Sequence, residues 1–155
     1  MDKDKKTKYE NYKKLFDRIK IALDNKFYFE AMWLAYAIIE DRLKSSLLKC
    51  GGNKFLFGKI KGKDIKMLGP KIMEIKKRQP VITNLNFAYY DDILDRINKW
   101  SKDRNKLMHA LAEETKPIST FNELIKNTAT NGNKIARELS SRIRKLKREL
   151  EKSKK

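Results

Sequence analysis

Apolar side chains recur at spacings of three and four along most of this chain, the period of a helix with one face turned inward. From about Lys8 to Lys26, Tyr9, Tyr12, Phe16, Ile19 and Leu23 form such a face. A second helix is predicted from about Phe27 to Lys49. There Phe29, Met32, Trp33, Tyr36, Ile39 and Leu43 make one stripe, and Ala31, Leu34, Ala35 and Ile38 make another. A helix apolar on most sides is expected at the centre of a bundle.

The pattern then breaks. Gly51, Gly52, Gly58 and Gly62 punctuate a loop that also carries Phe55, Leu56, Phe57 and Ile60, so the loop is expected to pack down. Pro70 suits the first turn of a third helix, which is predicted to run to about Arg78 and to be closed by Pro80. A fourth helix is predicted over about Phe87–Glu113, with Tyr90, Ile93, Leu94, Ile97, Trp100, Leu107, Met108 and Leu111 as its apolar positions. Beyond Pro117, Ser119 or Thr120 can cap a fifth helix, with Glu123 placed for a capping box. Asn131-Gly132 is a candidate interruption, after which Ile135, Leu139, Ile143, Leu146 and Leu150 align under a basic face. No strand alternation persists and no internal repeat is visible. The predicted fold is all-α, a four- to five-helix bundle. It forms a single helical domain over residues 1–155, with an N-terminal tail (1–8), a glycine-rich basic loop (50–63) and a basic C-terminal tail (151–155).

Composition adds a partner class. The chain of 155 residues carries 38 Lys+Arg against 20 Asp+Glu, a net charge of +18, while 40% of its residues are apolar. The apolar share argues against wholesale disorder, and the charge points to a polyanion such as nucleic acid. The excess is concentrated. Residues 44–78 hold 11 basic and 2 acidic side chains and residues 134–155 hold 10 and 3, whereas residues 79–133 hold 7 of each. Phosphate contacts from such blocks would make binding steeply salt-dependent. A solvated lysine-rich face, or an anionic protein docked on residues 134–155, would give the same pattern.

Other chemistry is limited. The longest apolar run, Ala31 to Ile39, is far shorter than the ~18 residues a membrane-spanning helix needs. The N-terminus shows no secretory pattern, so the expected location is the cytoplasm, with no membrane partner. With one cysteine (Cys50) and one histidine (His109), neither an internal disulfide framework nor the usual Cys/His zinc site is available, and neither a metal nor a cofactor is expected. Residues 52–59 look superficially like a phosphate-binding loop. Their spacing is one residue too long, Ile60 stands where Ser or Thr should bind magnesium, and no strand leads in. Asp91-Asp92 and Glu113-Glu114 read as helix-surface charges.

The informative stretch is Trp100-Ser101-Lys102-Asp103-Arg104-Asn105-Lys106-Leu107-Met108-His109. Arg104 and His109 are five apart, about 140° in azimuth and ~7.5 Å along a helix axis, so the arginine must curl back to meet the histidine. Asn105 and His109, at i and i+4, align. The three supply an acid or base suited to neutral pH, a fixed cation for phosphate and an orienting amide.

Arg104, Asn105 and His109 match the R-x(4–6)-H motif, and the stretch from Glu30 to Leu43 has the texture of the accompanying core helix. On these residues the chain resembles the HEPN family (higher eukaryotes and prokaryotes nucleotide-binding domain) over roughly residues 10–150. The resemblance implies a HEPN-like bundle and a metal-independent endoribonuclease, of the kind found among toxins and defence effectors. It also implies a homodimer that brings two motifs together, and a cognate antitoxin or regulatory protein. Under it, His109 is the general acid or base, Arg104 stabilises charge at phosphorus, Asn105 orients, and Lys102 and Lys106 contact RNA. Glu40 is the candidate accessory acid, unless it and Asp41 simply pair with Arg42 or Lys44. Toxins of this family paired with minimal nucleotidyltransferase antitoxins often carry a tyrosine two positions after the histidine. Here that position is Leu111, so inhibition by modifying such a tyrosine is excluded. The alternative is a non-catalytic HEPN-like module that binds RNA or another protein.

Overall fold

The computed structural model describes residues 3–113 and 115–154. Met1, Asp2, Glu114 and Lys155, which belong to the two expected tails and to one acidic pair, lie outside the described residues. The fold is all-α: α1 (Lys3–Asp24), α2 (Tyr28–Lys49), α3 (Leu68–Arg78), α4 (Ile93–Glu113) and α5 (Asn122–Lys152), with short 3₁₀ turns at Thr83–Phe87 and Ile118–Phe121. Among the described residues there is no strand, only an isolated bridge between Lys54 and Asp64.

Several boundaries differ from the sequence expectation. α1 already begins at Lys3, inside the segment read as a tail, and α5 continues to Lys152. α3 begins at Leu68, which places Pro70 inside the first turn rather than at its first position. α4 begins at Ile93, because Thr83–Phe87 winds as a separate 3₁₀ turn closed by the Ala88 and Tyr89 amides on Leu85. At α5 the stretch with Ser119 and Thr120 is itself a 3₁₀ turn running directly into the helix, so Glu123 falls in the first turn and not at a capping-box position.

The chain divides into two compact units, one comprising the chain up to Ile38 with Trp100–Ala136, the other Ile39–Lys99 with the chain from Arg137 onward. In the first, Ile19 and Ala22 of α1, Met32 and Ala35 of α2, Leu107 of α4 and Ile125 and Ala129 of α5 are buried. Trp100 is 2% exposed and donates from Nε1 to the Thr128 carbonyl at 2.9 Å. Asn131-Gly132 does not interrupt α5. The glycine is there for the tryptophan: a Cβ at Gly132 would lie 2.5 Å from Trp100 Cζ2. α1 ends in a Schellman turn, with Phe27 N–H on Ala22 O at 2.7 Å and Lys26 in the left-handed region at φ 62°.

In the second unit α2 ends the same way, Gly52 N–H on Leu47 O at 2.8 Å, here with glycine at the left-handed position. A side chain at Gly51 would be strained at φ 104° and would meet Leu56 Cδ1 at 2.8 Å. The basic loop that follows does pack down: Phe55, Leu56 and Phe57 are half-buried. Its anchor is an ion pair with no solvent exposure, Arg78 with Glu74. Arg78 also donates to the carbonyls of Leu47, Cys50 and Lys54 at 3.2, 2.7 and 2.6 Å, and Glu74 Oε1 accepts from the Leu56 amide at 2.7 Å. The carbonyls at the end of α2 and the loop backbone are thereby satisfied by this one pair of side chains. Further along, Arg142 binds Asp91 and Glu138 and lies over the Tyr90 ring, while Arg96 grips Glu138 with both Nη atoms at 2.8 Å. Tyr89 is buried with its hydroxyl 2.8 Å from Ser46 Oγ, and burial pushes its phenol above the usual tyrosine range.

Candidate functional site

The motif lies on α4, in the first unit. At 100° per residue, Lys102, Asn105, Lys106 and His109 fall within one stripe of the helix, and all four are exposed. Arg104 projects from a different azimuth and is half-buried. Its guanidinium bends towards the stripe: Nη1 donates to Asn105 Oδ1 at 3.1 Å. The Asn105 carbonyl oxygen thus engages Arg104 rather than the histidine.

The partner that sequence reasoning missed is Tyr36 of α2. The Arg104 guanidinium carbon lies 4.7 Å from the centre of the Tyr36 ring, a cation–π distance. The ring supports the cation on one face, and Arg104 Nε is buried without a hydrogen-bond partner among the described residues. In the sequence Tyr36 reads as one more apolar position of α2. Only its hydroxyl-bearing ring, among aliphatic neighbours, hints at a polar contact.

The imidazole of His109 makes no hydrogen bond or ion pair among the described residues, and the residue is exposed. Lys102 and Lys106 project into solvent on either side of Asn105. Glu40 belongs to the second unit, where the buried Lys71 ammonium meets its carboxylate at 3.2 Å and the Lys66 carbonyl at 2.8 Å. The pairing envisaged for Glu40 with Arg42 or Lys44 is thus replaced by one with Lys71. For Asp41 the expected pairing holds, with Arg42 at 2.8 Å.

The apolar stripe of α2 also needs correction. Met32, Ile39 and Leu43 are buried as expected, but Phe29 is 44% and Trp33 73% exposed. The small residues Ala31 and Ala35 take the interior face together with Met32, Ile38 and Ile39.

Charge divides between the units as well. The unit carrying the motif holds 15 basic and 10 acidic residues, and the other holds 23 and 10. Lysines at 54, 59, 61 and 63 in the glycine-rich loop, and Lys66 just beyond it, are all exposed. Among the described residues no group of three His, Cys, Asp or Glu side chains is arranged to hold a metal ion, and no helix is long and apolar enough to cross a membrane.

Compared with protein-family models, with curated proteins and with solved structures, the chain matches none.

Proposed function

We propose that this protein is a metal-independent endoribonuclease of HEPN type, acting in the cytoplasm as a homodimer and serving as a toxin or defence effector under a cognate antitoxin or regulator. The observation that carries the reading is the state of Arg104. Its guanidinium is braced by Tyr36 and turned towards Asn105, on the helix stripe that also exposes His109, Lys102 and Lys106.

The chemistry follows from these groups. A ribose 2′-OH attacks the adjacent phosphorus and the 5′-oxygen leaves, giving a 2′,3′-cyclic phosphate and a 5′-hydroxyl. His109 takes the proton from the attacking hydroxyl or returns one to the leaving oxygen. Arg104 offers its remaining N–H groups to the non-bridging oxygens as charge grows on them. Asn105 steadies the guanidinium, and Lys102 and Lys106 hold flanking phosphates. Dependence on the 2′-OH makes the reaction specific for RNA.

The test is incubation of the purified chain with total RNA in EDTA, beside His109→Ala and Arg104→Ala. Cleavage by the wild type and its loss in both variants is the expected result. Equal cleavage by all three, or none by the wild type, overturns it. The second reading, a non-catalytic RNA-binding module, is favoured by the exposed lysines of the glycine-rich loop. Salt-dependent RNA binding that survives His109→Ala, with no cleavage, would establish it.

A further inference from the structure

On α2, Phe29, Trp33 and Ala37 follow at i, i+4 and i+8, and all three are exposed. Tyr36, whose ring carries the Arg104 guanidinium, lies three residues after Trp33, and residues three apart on a helix are surface neighbours. A solvent-exposed indole thus springs from a position whose Cβ lies about 5–6 Å from that of the ring bracing the cation. That spacing is of the order of one nucleotide. A large aromatic surface left in water beside a half-buried arginine is what a flat ligand with an attached anion would engage.

We infer that Trp33 is the stacking platform for an unpaired base next to the phosphate held at Arg104, with Phe29 extending the platform, so that this site takes single-stranded RNA. The inference rests on the ribonuclease reading for the phosphate's place at Arg104. Bases in a duplex are already stacked and their faces closed, whereas every unpaired base offers a face to an indole whatever its identity. The rival occupant is a second copy of the chain. The two rings expose roughly 250 Å² together, about a third of the ~800 Å² that each partner of a stable pair covers.

The protein has two tryptophans, and Trp100 is buried, so Trp33 is the solvent-facing reporter. The probe is a 2′-O-methylated octanucleotide, which lacks the attacking hydroxyl and is not cleaved. Bound single-stranded, it is expected to quench the emission of the wild-type chain and shield it from acrylamide. Trp33→Ala should weaken this binding roughly ten-fold or more, and Trp33→Phe should retain most of it. Affinity for the same sequence as a duplex should not change. Unquenched emission on binding, or equal affinity in Trp33→Ala, overturns the inference. So does a halved mass of Trp33→Ala in sedimentation at unchanged affinity per chain, which gives the indole to a second copy. If Trp33-dependent binding holds while the wild type cleaves no RNA, the platform stands and the ribonuclease reading falls. If RNA is cleaved and Trp33→Ala binds normally, the platform alone falls.

Discussion

Two arginines of this chain have opposite relations to the protein around them. Arg78, in the second unit, has no solvent exposure and directs Nε, Nη1 and Nη2 at Glu74 and at three backbone carbonyls of its own chain. Arg104, in the first unit, is half-buried, rests on a ring and makes one hydrogen bond among the described residues, to the amide beside it. Both are held in place, but only the second keeps donors for something else. A cation whose hydrogen bonds are completed internally explains a fold, and a braced cation with unmet donors explains a site.

The comparison breaks first at Arg78. Arg78→Met leaves the buried Glu74 carboxylate without its counter-charge and the Cys50 and Lys54 carbonyls without the guanidinium donor, and should cost about 3–5 kcal/mol in urea unfolding. Arg78→Lys keeps the charge but loses the fork, so a smaller loss is expected. A midpoint unchanged in both variants would remove the anchor from the account.

Arg104→Met is the reciprocal case. Its stability should fall by only ~0.5–1 kcal/mol, the value of an exposed cation–π contact. Its RNA cleavage should fall about a hundred-fold or more, as when an oxyanion donor is removed. Thermal melting and initial rates on one preparation separate the two effects.

Gly132→Ala sharpens the picture of the first unit. Helix propensity favours alanine by up to ~1 kcal/mol. The new Cβ, however, would stand 2.5 Å from a ring whose nitrogen is already bonded to Thr128, and overpacking of this kind costs about 1–3 kcal/mol. A net loss of stability is expected, read by denaturant midpoint together with a shift in Trp100 emission. A gain would mean that the ring has room to move.

The smallest effect concerns acid. Arg142 holds the Asp91 carboxyl down to about 2, below its usual value, while Arg96 first and Arg142 second draw Glu138 down. A carboxyl lowered in the folded state stabilises it wherever the group is charged. That contribution is therefore complete above the ordinary aspartate value of ~3.9 and is lost as pH falls through about 2. Asp91 is about one-third exposed, so salt should weaken the effect. Melting from pH 5 to pH 2 should show a shallower acid limb for Asp91→Asn than for the wild type, and the difference should shrink at high salt.

The helices were legible because their periodicity is long and strong, as in α1 and in the α5 stripe from Ile135 to Leu146. Boundaries were less so. The 3₁₀ turns at Thr83–Phe87 and Ile118–Phe121 have no distinct sequence period, and Gly132 reads as a break unless the Trp100 ring is known to need its space. At the candidate site, Arg104, Asn105 and His109 were readable because they are close in sequence and share a helix. Tyr36 and Lys71 were not, since their partners lie 68 and 31 residues away and nothing local marks the pairing. The exposure of Trp33 was hidden for a related reason: an aromatic residue in an apolar helix has the same sequence signature inside a core as outside it.

The central claim is that Arg104 and His109 cleave RNA through its own 2′-hydroxyl. The most direct measurement is mass analysis of the ends produced from a defined oligoribonucleotide in EDTA. The account predicts 2′,3′-cyclic phosphate and 5′-hydroxyl ends from the wild type and intact oligonucleotide from His109→Ala. Products with 3′-hydroxyl and 5′-phosphate ends, or the same cyclic products from His109→Ala, would contradict it.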